Sequence, residues 1–236
     1  MSLLVYPSLS EAGVENMATD WWLMQQAVKV SLPSFRHYRW VKPEISFGYG
    51  QKWQWVEEEA GIPIKYLIRR PTGGGLVRHG QDWTYCLVIP EGHHSFKIPS
   101  LDLYEYIHTA IGNALAKQSI ITFLQPCEVD KKAGIPGDCF HEPVGKDLMM
   151  DGKGEKIAGA AMKRTRSAIL IQGTLELAHL SSFNEEAFNQ KFQSELCRLL
   201  EEGPEAKDWT DEFLKERQVY CDQFSNLLWR KNRERC

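Results

Sequence analysis

The fold class this sequence predicts is α/β (α+β), with a central mixed, largely antiparallel sheet and helices packed on it. Three observations carry that prediction. The runs Gly145–Met150, Glu155–Lys163 and Ala168–Leu177 read as consecutive strands, with short turns at Asp151-Gly152 and Arg164–Ser167. Such turns are too short for a parallel crossover. Four stretches, Glu11–Val30, Leu101–Gln118, Ser181–Leu200 and Thr210–Arg233, instead repeat apolar residues at helical spacing. Finally, the 236 residues are 43% hydrophobic and 25% charged, enough for one sizeable core, and no repeat, linker or low-complexity segment divides them. One domain over residues 1–236 is expected.

In chain order, Leu3–Tyr6 reads as a short first strand. The helix of Glu11–Val30 carries Met17, Ala18, Trp21, Trp22 and Met24 on its apolar positions. Asn16 and Asp20, one turn apart within it, are expected at the sheet edge or in solvent. Ser34–Trp40 alternates as a strand does. Ile45–Gly50 is a strand closing in glycines, and Gln51–Ala60 a short helix with Gly61 as its C-terminal cap. Ile64–Ile68 and Trp83–Ile89 read as buried strands around the stretch Arg69–His79. Glu91–Pro99 is a polar loop. Its His93-His94 pair lacks a third ligand at a telling spacing, so it reads as solvated and no metal site is expected. Ile120–Leu124 is a strand, and Gln125–His141, rich in Pro, Gly, Cys and charge, a loop. Ser181 or Ser182 is the expected cap of the next helix, with Glu185 and Glu186 in its first turn. Glu201–Asp208 is a polar break before the last helix.

The net charge is −3 with no basic block, which argues against a general nucleic-acid binder. No run reaches membrane-span length, and the N-terminus lacks the pattern of a secretion signal. A cytoplasmic protein is expected. The six cysteines are scattered without CxxC spacing and read as free thiols of a reducing compartment.

Three pieces suit chemistry. Arg69–His79 reads Arg-Arg-Pro-Thr-Gly-Gly-Gly-Leu-Val-Arg-His. Three successive glycines weaken a strand but let a ligand approach the backbone. Arginines in front and Arg78-His79 behind place cations and polar groups around bare N–H groups, the makings of an anion or carbonyl site. In the second piece, Asp151–Ala161, Lys156 opens a strand narrowed by Gly159-Ala160-Ala161. A lysine beside such a slot can bond a carbonyl or balance an anion. The third is Cys139, on a Gly/Pro-rich loop near lysines and histidines, where the thiolate is favoured.

Residues 69–79 resemble the RRxxGGGxVxH signature of the lipoate-protein ligase / octanoyltransferase family, sister to the biotin protein ligases. Gly154–Arg164, followed by Gln172-Gly173-Thr174-Leu175, is similar to its K-I-x-G-x-A-x-x-R…H-G-T-L motif. Glu15–Asp20 and Arg36–Gln51 match upstream, so the resemblance covers about residues 11–180 in order. It implies a biotin/lipoate ligase-like fold in which the glycine loop and Lys156 border an acyl tunnel. By motif position Arg70, Gly75, Leu76, Val77 and Arg78 line the head group or nucleotide, and Gly73, Gly74, His79 and Gly159 complete the binding set. Lys156 contacts the acyl carbonyl.

The family divides by mechanism. Ligases activate lipoate with ATP and Mg2+. Octanoyltransferases take octanoyl from acyl carrier protein through a cysteine thioester and need no cofactor. Asp138-Cys139-Phe140 resembles the cysteine loop of one octanoyltransferase type, and the Asn-Asp pair usual in ligases is absent. The resemblance therefore implies Cys139 as nucleophile and Lys156 as its partner. Octanoyl–acyl carrier protein is the implied donor, and a lipoyl domain or glycine-cleavage H protein the acceptor. It implies a monomer without accessory domains. Arg69, Arg70, Arg78, Lys163, Arg164 and Arg166 are expected as a basic rim for acidic partners. Two departures stand out: Gln172 replaces the family's histidine, and Lys153-Gly154 adds a turn before Lys156. An ATP-dependent ligase is the runner-up, and a non-catalytic lipoyl-domain-binding homologue the third reading.

Overall fold

A computed structural model describes residues 2–127, 137, 143–180 and 182–234. In order these form β1 (Ser2–Val5), β2 (Ser10–Glu11), α1 (Gly13–Val30), β3 (Ser34–Trp40), β4 (Glu44–Phe47) and α2 (Trp53–Ala60). There follow β5 (Leu67–Arg69), β6 (Val77–His79), β7 (Asp82–Pro90), α3 (Ser100–Ala116), β8 (Thr122–Leu124) and β9 (Leu148–Met150). The chain continues through β10 (Lys156–Arg164), β11 (Ala168–Glu176), α4 (Glu185–Leu200), β12 (Gly203–Ala206), α5 (Phe213–Ser225) and α6 (Leu227–Asn232).

The large sheet runs β12-β1-β3-β7-β11-β10-β9-β8, with β2 beside β3. From β3 to β8 every pairing is antiparallel, while β12, β1, β2 and β3 pair in parallel. A second sheet, β5-β4-β6, has one parallel and one antiparallel pairing. The mixed, mostly antiparallel α/β class read from the sequence is thus the observed one.

β7 and β11 lie at the centre of the large sheet and are apolar on both faces. Trp83, Tyr85, Leu87 and Ile89 join Ile169 and Ile171 in a core with α3 and α4. Cys86, Val88 and Leu170 face α1, α5 and α6, with Met17, Trp21, Trp22, Phe213 and Trp229. A smaller core of Phe47, Val56, Ile64, Leu67 and Leu76 joins α2 to the second sheet.

Several local readings differ from the structure. Ile64–Tyr66 is a 3-10 turn and only Leu67–Arg69 is strand, because Pro63 and the parallel pairing to β4 set the register. The cap of α4 is Asn184, whose side chain accepts from the Ala187 N–H at 3.0 Å. The polar break contains β12, whose four exposed residues pair with β1 through their backbone. The last helix is two: Asn226 is extended, ends α5, and caps α6 by accepting from the Leu228 N–H at 2.7 Å. His93 is buried, not solvated. It bonds Glu202 at 3.2 Å and caps the turn His94–Lys97. No group of three or more His, Cys, Asp or Glu able to hold a metal ion occurs among the described residues. No helix among them is long and apolar enough to cross a membrane.

Candidate active site

Helix α1 packs across β3, β7 and β11. A cleft beside it is lined by Met17, Tyr38, Trp40, Arg70, Gly74, Val77, His79, Thr84, Gly159, Ala160, Ala161, Gln172, Gly173 and Thr174. It encloses about 410 Å3, its open mouth included. The small residues Gly159, Ala160 and Ala161 of β10 leave the room. A side chain at Gly173 has none: its Cβ would sit 2.4 Å from the Tyr85 ring behind the sheet.

One wall is the glycine loop between β5 and β6. Both strands pair with β4, so the loop crosses the end of β4, where Gly48 follows. A Cβ on Gly48 would lie 1.9 Å from the Gly74 carbonyl oxygen, so only glycine fits there. Gly74 itself has φ +82°. Arg70 fixes the loop's peptide planes, its Nη2 donating to the carbonyls of Gly73 at 3.0 Å and Gly75 at 2.7 Å. Gly137 is also tied here. Its carbonyl accepts from the Leu76 N–H at 2.9 Å and from Gln51 Nε2 at 3.0 Å.

Two buried carboxylates hold this wall from different sides. Asp82 opens β7 and accepts from Thr174 at 2.6 Å, Thr84 at 2.8 Å and the Gly80 N–H at 2.8 Å. His79 bridges Asp82 Oδ2 at 2.7 Å and Ser46 Oγ at 2.6 Å. Arg70 Nη1 donates to the same Ser46 oxygen at 2.6 Å. Burial pushes the Asp82 carboxyl up, but the His79 charge, bonds from His79 and Thr174 and the Gly80 N–H outweigh it and hold the carboxyl well below the usual range. Trp40 stacks on the His79 ring with centroids 3.8 Å apart and fixes its plane.

The second carboxylate, Asp20 of α1, was expected with Asn16 at the sheet edge or in solvent; both are fully buried. Arg36 of β3 lies beneath α1 and requires a counter-charge there. Its Nη2 is 2.7 Å from Asp20 Oδ1, and its Nε donates to the same oxygen at 2.8 Å. Asp20 Oδ2 accepts from Tyr38 at 3.0 Å and from Gln172 Nε2 at 2.6 Å. Gln172 Oε1 then accepts from Thr72 Oγ1 at 2.7 Å, just before the glycines. Asn16 spans α1 and β3 by donating to the Glu11 and Arg39 carbonyls, both at 3.1 Å.

Lys156 begins β10 and is 6% exposed, so it is no solvated lysine. Its stem lies over Gly159, where a Cβ would come within 2.7 Å of Cε. Its Nζ is 2.8 Å from Oδ2 of the buried Asp147. Asp147 also accepts from the Val144 N–H at 2.7 Å and from the Tyr104 hydroxyl. That hydroxyl accepts from the Ala160 N–H at 3.3 Å, on the cleft wall. A fixed ammonium, glycine backbone and an apolar trough together suit an acyl chain whose carbonyl gains negative charge.

Of the residues singled out from the sequence, Arg70, Gly74, Val77, His79 and Gly159 line the cleft. Lys156 is not among the lining residues; its ammonium lies against Gly159, which is. Gly73 and Gly75 belong to the same loop, Leu76 is buried in the small core beneath it, and Arg78 points outward. Cys139 lies outside the described residues. The expected basic rim does not form as a whole, since Arg69 and Arg70 are internal. Arg69 ties the loop to the C-terminal helix, donating to the carbonyls of Arg230 at 2.8 Å, Tyr49 at 2.6 Å and Gln51 at 3.0 Å. Asp147, Tyr104, Asp82 and Ser46 were missed from the sequence. Thr84 and Thr174 at opposed positions on two apolar strands were the available signal for a buried acceptor near Asp82.

Residues 12–214 match the family described as the lipoyl protein ligase A/B catalytic domain. The octanoyltransferase LipM of Oceanobacillus iheyensis is 34% identical over 166 residues, 69% of this chain and 59% of that protein. LipM of Anoxybacillus flavithermus is 32% identical over 176 residues, 70% of this chain and 61% of that protein. The chain thus spans about three-fifths of the length of these curated relatives. Among solved structures, a lipoate-protein ligase A bound with ATP superposes with a TM-score of 0.74 at 18% identity, over 98% of each chain. A bipartite lipoate protein ligase from Thermoplasma acidophilum gives 0.73 at 15% identity, over 100% of this chain and 98% of that one.

Proposed function

Because this chain belongs to the lipoyl protein ligase A/B catalytic-domain family, we propose that it is an octanoyltransferase of protein lipoylation, one catalytic unit over residues 1–236. The observation that carries this reading is Gly137. It stands two positions before Cys139 in the sequence and is bonded to Leu76 and Gln51 at the glycine loop. Gly137 itself is thereby held at the glycine-loop wall of the cleft. The similarity to proteins named octanoyltransferase LipM supports the same choice.

In this reading the thiolate of Cys139 attacks the thioester carbonyl of octanoyl–acyl carrier protein. The carrier's thiol leaves with the proton that Cys139 gave up, and an octanoyl–Cys139 thioester remains. The amine of an acceptor lysine, on a lipoyl domain or a glycine-cleavage H protein, then attacks that carbonyl. An amide forms and the Cys139 thiol is restored. The thioester is itself the activated donor, so ATP and Mg2+ have no part. Lys156, oriented by Asp147, supplies a cation to the thiolate and the oxyanion. Gly73–Gly75 hold the carbonyl end, with Arg70 and His79 fixing their geometry. Arg78, exposed on β6, meets acidic partners. The octanoyl chain lies along Met17, Val77 and Gly159–Ala161, each buried methylene contributing about 0.8 kcal/mol.

The test is transfer of octanoyl from octanoyl–acyl carrier protein to an isolated lipoyl domain without nucleotide. Acceptor gaining octanoyl supports the reading. Gain only from free acid plus ATP and Mg2+ makes the chain a ligase, and lipoyl-domain binding with neither activity makes it a docking homologue.

A further inference from the structure

Gln172 stands at the signature position where the family carries histidine, in the cleft wall on β11. Its amide has one satisfactory orientation. Nε2 donates to Asp20 Oδ2 at 2.6 Å and to Met17 Sδ at 3.2 Å, while Oε1 accepts from Thr72 Oγ1 at 2.7 Å. Turned over, Oε1 would face a carboxylate oxygen with no proton between them. Gln172 and Thr72 are 5% and 0% exposed, so water does not compete for these bonds. Thr72 is the last residue before Gly73, and its carbonyl accepts the Tyr49 N–H at 2.7 Å.

We propose that Gln172 is a positioning residue. It carries the fixed geometry of the buried Asp20 carboxylate to Thr72 at the root of the glycine loop, through an amide that does not titrate. Only the kinetic consequence of this relay rests on the octanoyl-transfer reading.

The titratable groups around Gln172 come from α1, β3, β7 and β10, and His79 of β6 lines the same cleft. Asp20 from α1 is paired with Arg36 from β3. Burial and Asp20 push the Tyr38 hydroxyl and the Cys86 thiol well up, so both keep their protons. Lys163 of β10 lies two residues beyond Ala161, the partner of Gln172. A histidine at this position would behave differently. Neutral, it can donate to Asp20 and accept from Thr72. Protonated, it has two donors and no acceptor, and the link to Thr72 is lost.

The experiment is hydrogen exchange of the Tyr49 and Leu76 amides, which donate to Thr72 and to Gly137 at the two ends of the glycine loop, in the full chain, with acylation kinetics alongside. Thr72→Val and Gln172→Met should each speed exchange about tenfold, the loss of one buried bond. The double variant should be no faster than either single one, and Thr72→Ser should match the native protein. Gln172→His should hold the loop at pH 8 and release it at pH 5.5. The Michaelis constant for octanoyl–acyl carrier protein should rise over that interval in this variant relative to the native protein. Multiplicative effects in the double variant, unchanged exchange in Thr72→Val, or a pH-independent Gln172→His would each overturn the relay. Failure of the native protein to transfer octanoyl would instead count against the proposed function, since exchange is read without turnover.

Discussion

Asp147 shows what a single residue contributes here and how little the sequence displays it. Lys156 is visible in a motif. Its partner, nine positions earlier, reads as half of an ordinary Lys-Asp pair. The two meet because the β9–β10 turn folds the chain back, placing Lys156 opposite Met149. Asp147→Asn removes the charge that orients the ammonium. It is expected to slow acyl transfer about 100-fold, with little change in donor affinity, measured by single-turnover acylation. Asp20 was misread for a related reason: a carboxylate on an amphipathic helix looks solvent-facing until Arg36 is known to lie under it. Asp20→Ala leaves that guanidinium buried without its counter-ion. Urea unfolding should show a loss of about 3–5 kcal/mol.

At the scale of elements, the hairpin β10–β11 was legible because its turns and apolar runs are local signals. β12 was not, since Gly203–Ala206 has no apolar pattern and exists only as an edge paired to β1. The break at Asn226 was hidden because helical spacing runs through it, while the capping bond depends on one side chain. The glycine loop was readable as a special stretch, but the burial of its first two arginines was not. Arg69 looked like part of a rim and is instead a brace, its fork satisfying carbonyls of two segments distant in sequence. Lysine cannot reproduce that fork. Arg69→Lys should therefore lower the unfolding midpoint and speed exchange in residues 227–232 as well as in the loop. Gly48→Ala should act more narrowly. It pushes on the Gly74 carbonyl and should cost transfer activity while the midpoint changes less.

The whole molecule should lose stability in mild acid. Burial pulls the His108 imidazole down to about 4, against a smaller raising effect of Asp147. Burial and then the charges of Arg39 and Arg36 take His37 to about 4 as well. Both are neutral in the fold, whereas in the unfolded chain they bind protons below about pH 6.5. The unfolded state therefore gains protons first as pH falls. Stability is full above pH 6.5 and declines towards pH 4, by up to about 3 kcal/mol for His108. Urea titrations at pH 7.5 and 4.5 measure the difference, and His108→Gln should reduce it.

The central claim joins the glycine loop, Lys156 and Cys139 in one acyl-transfer site. Its most direct measurement is the mass of the intact protein after incubation with octanoyl–acyl carrier protein and no nucleotide, followed by peptide mapping. One octanoyl group on Cys139, released by hydroxylamine and lost in both Cys139→Ala and Lys156→Met, is the predicted result. No adduct on Cys139, with ATP-dependent lipoylation surviving in Cys139→Ala, would contradict it.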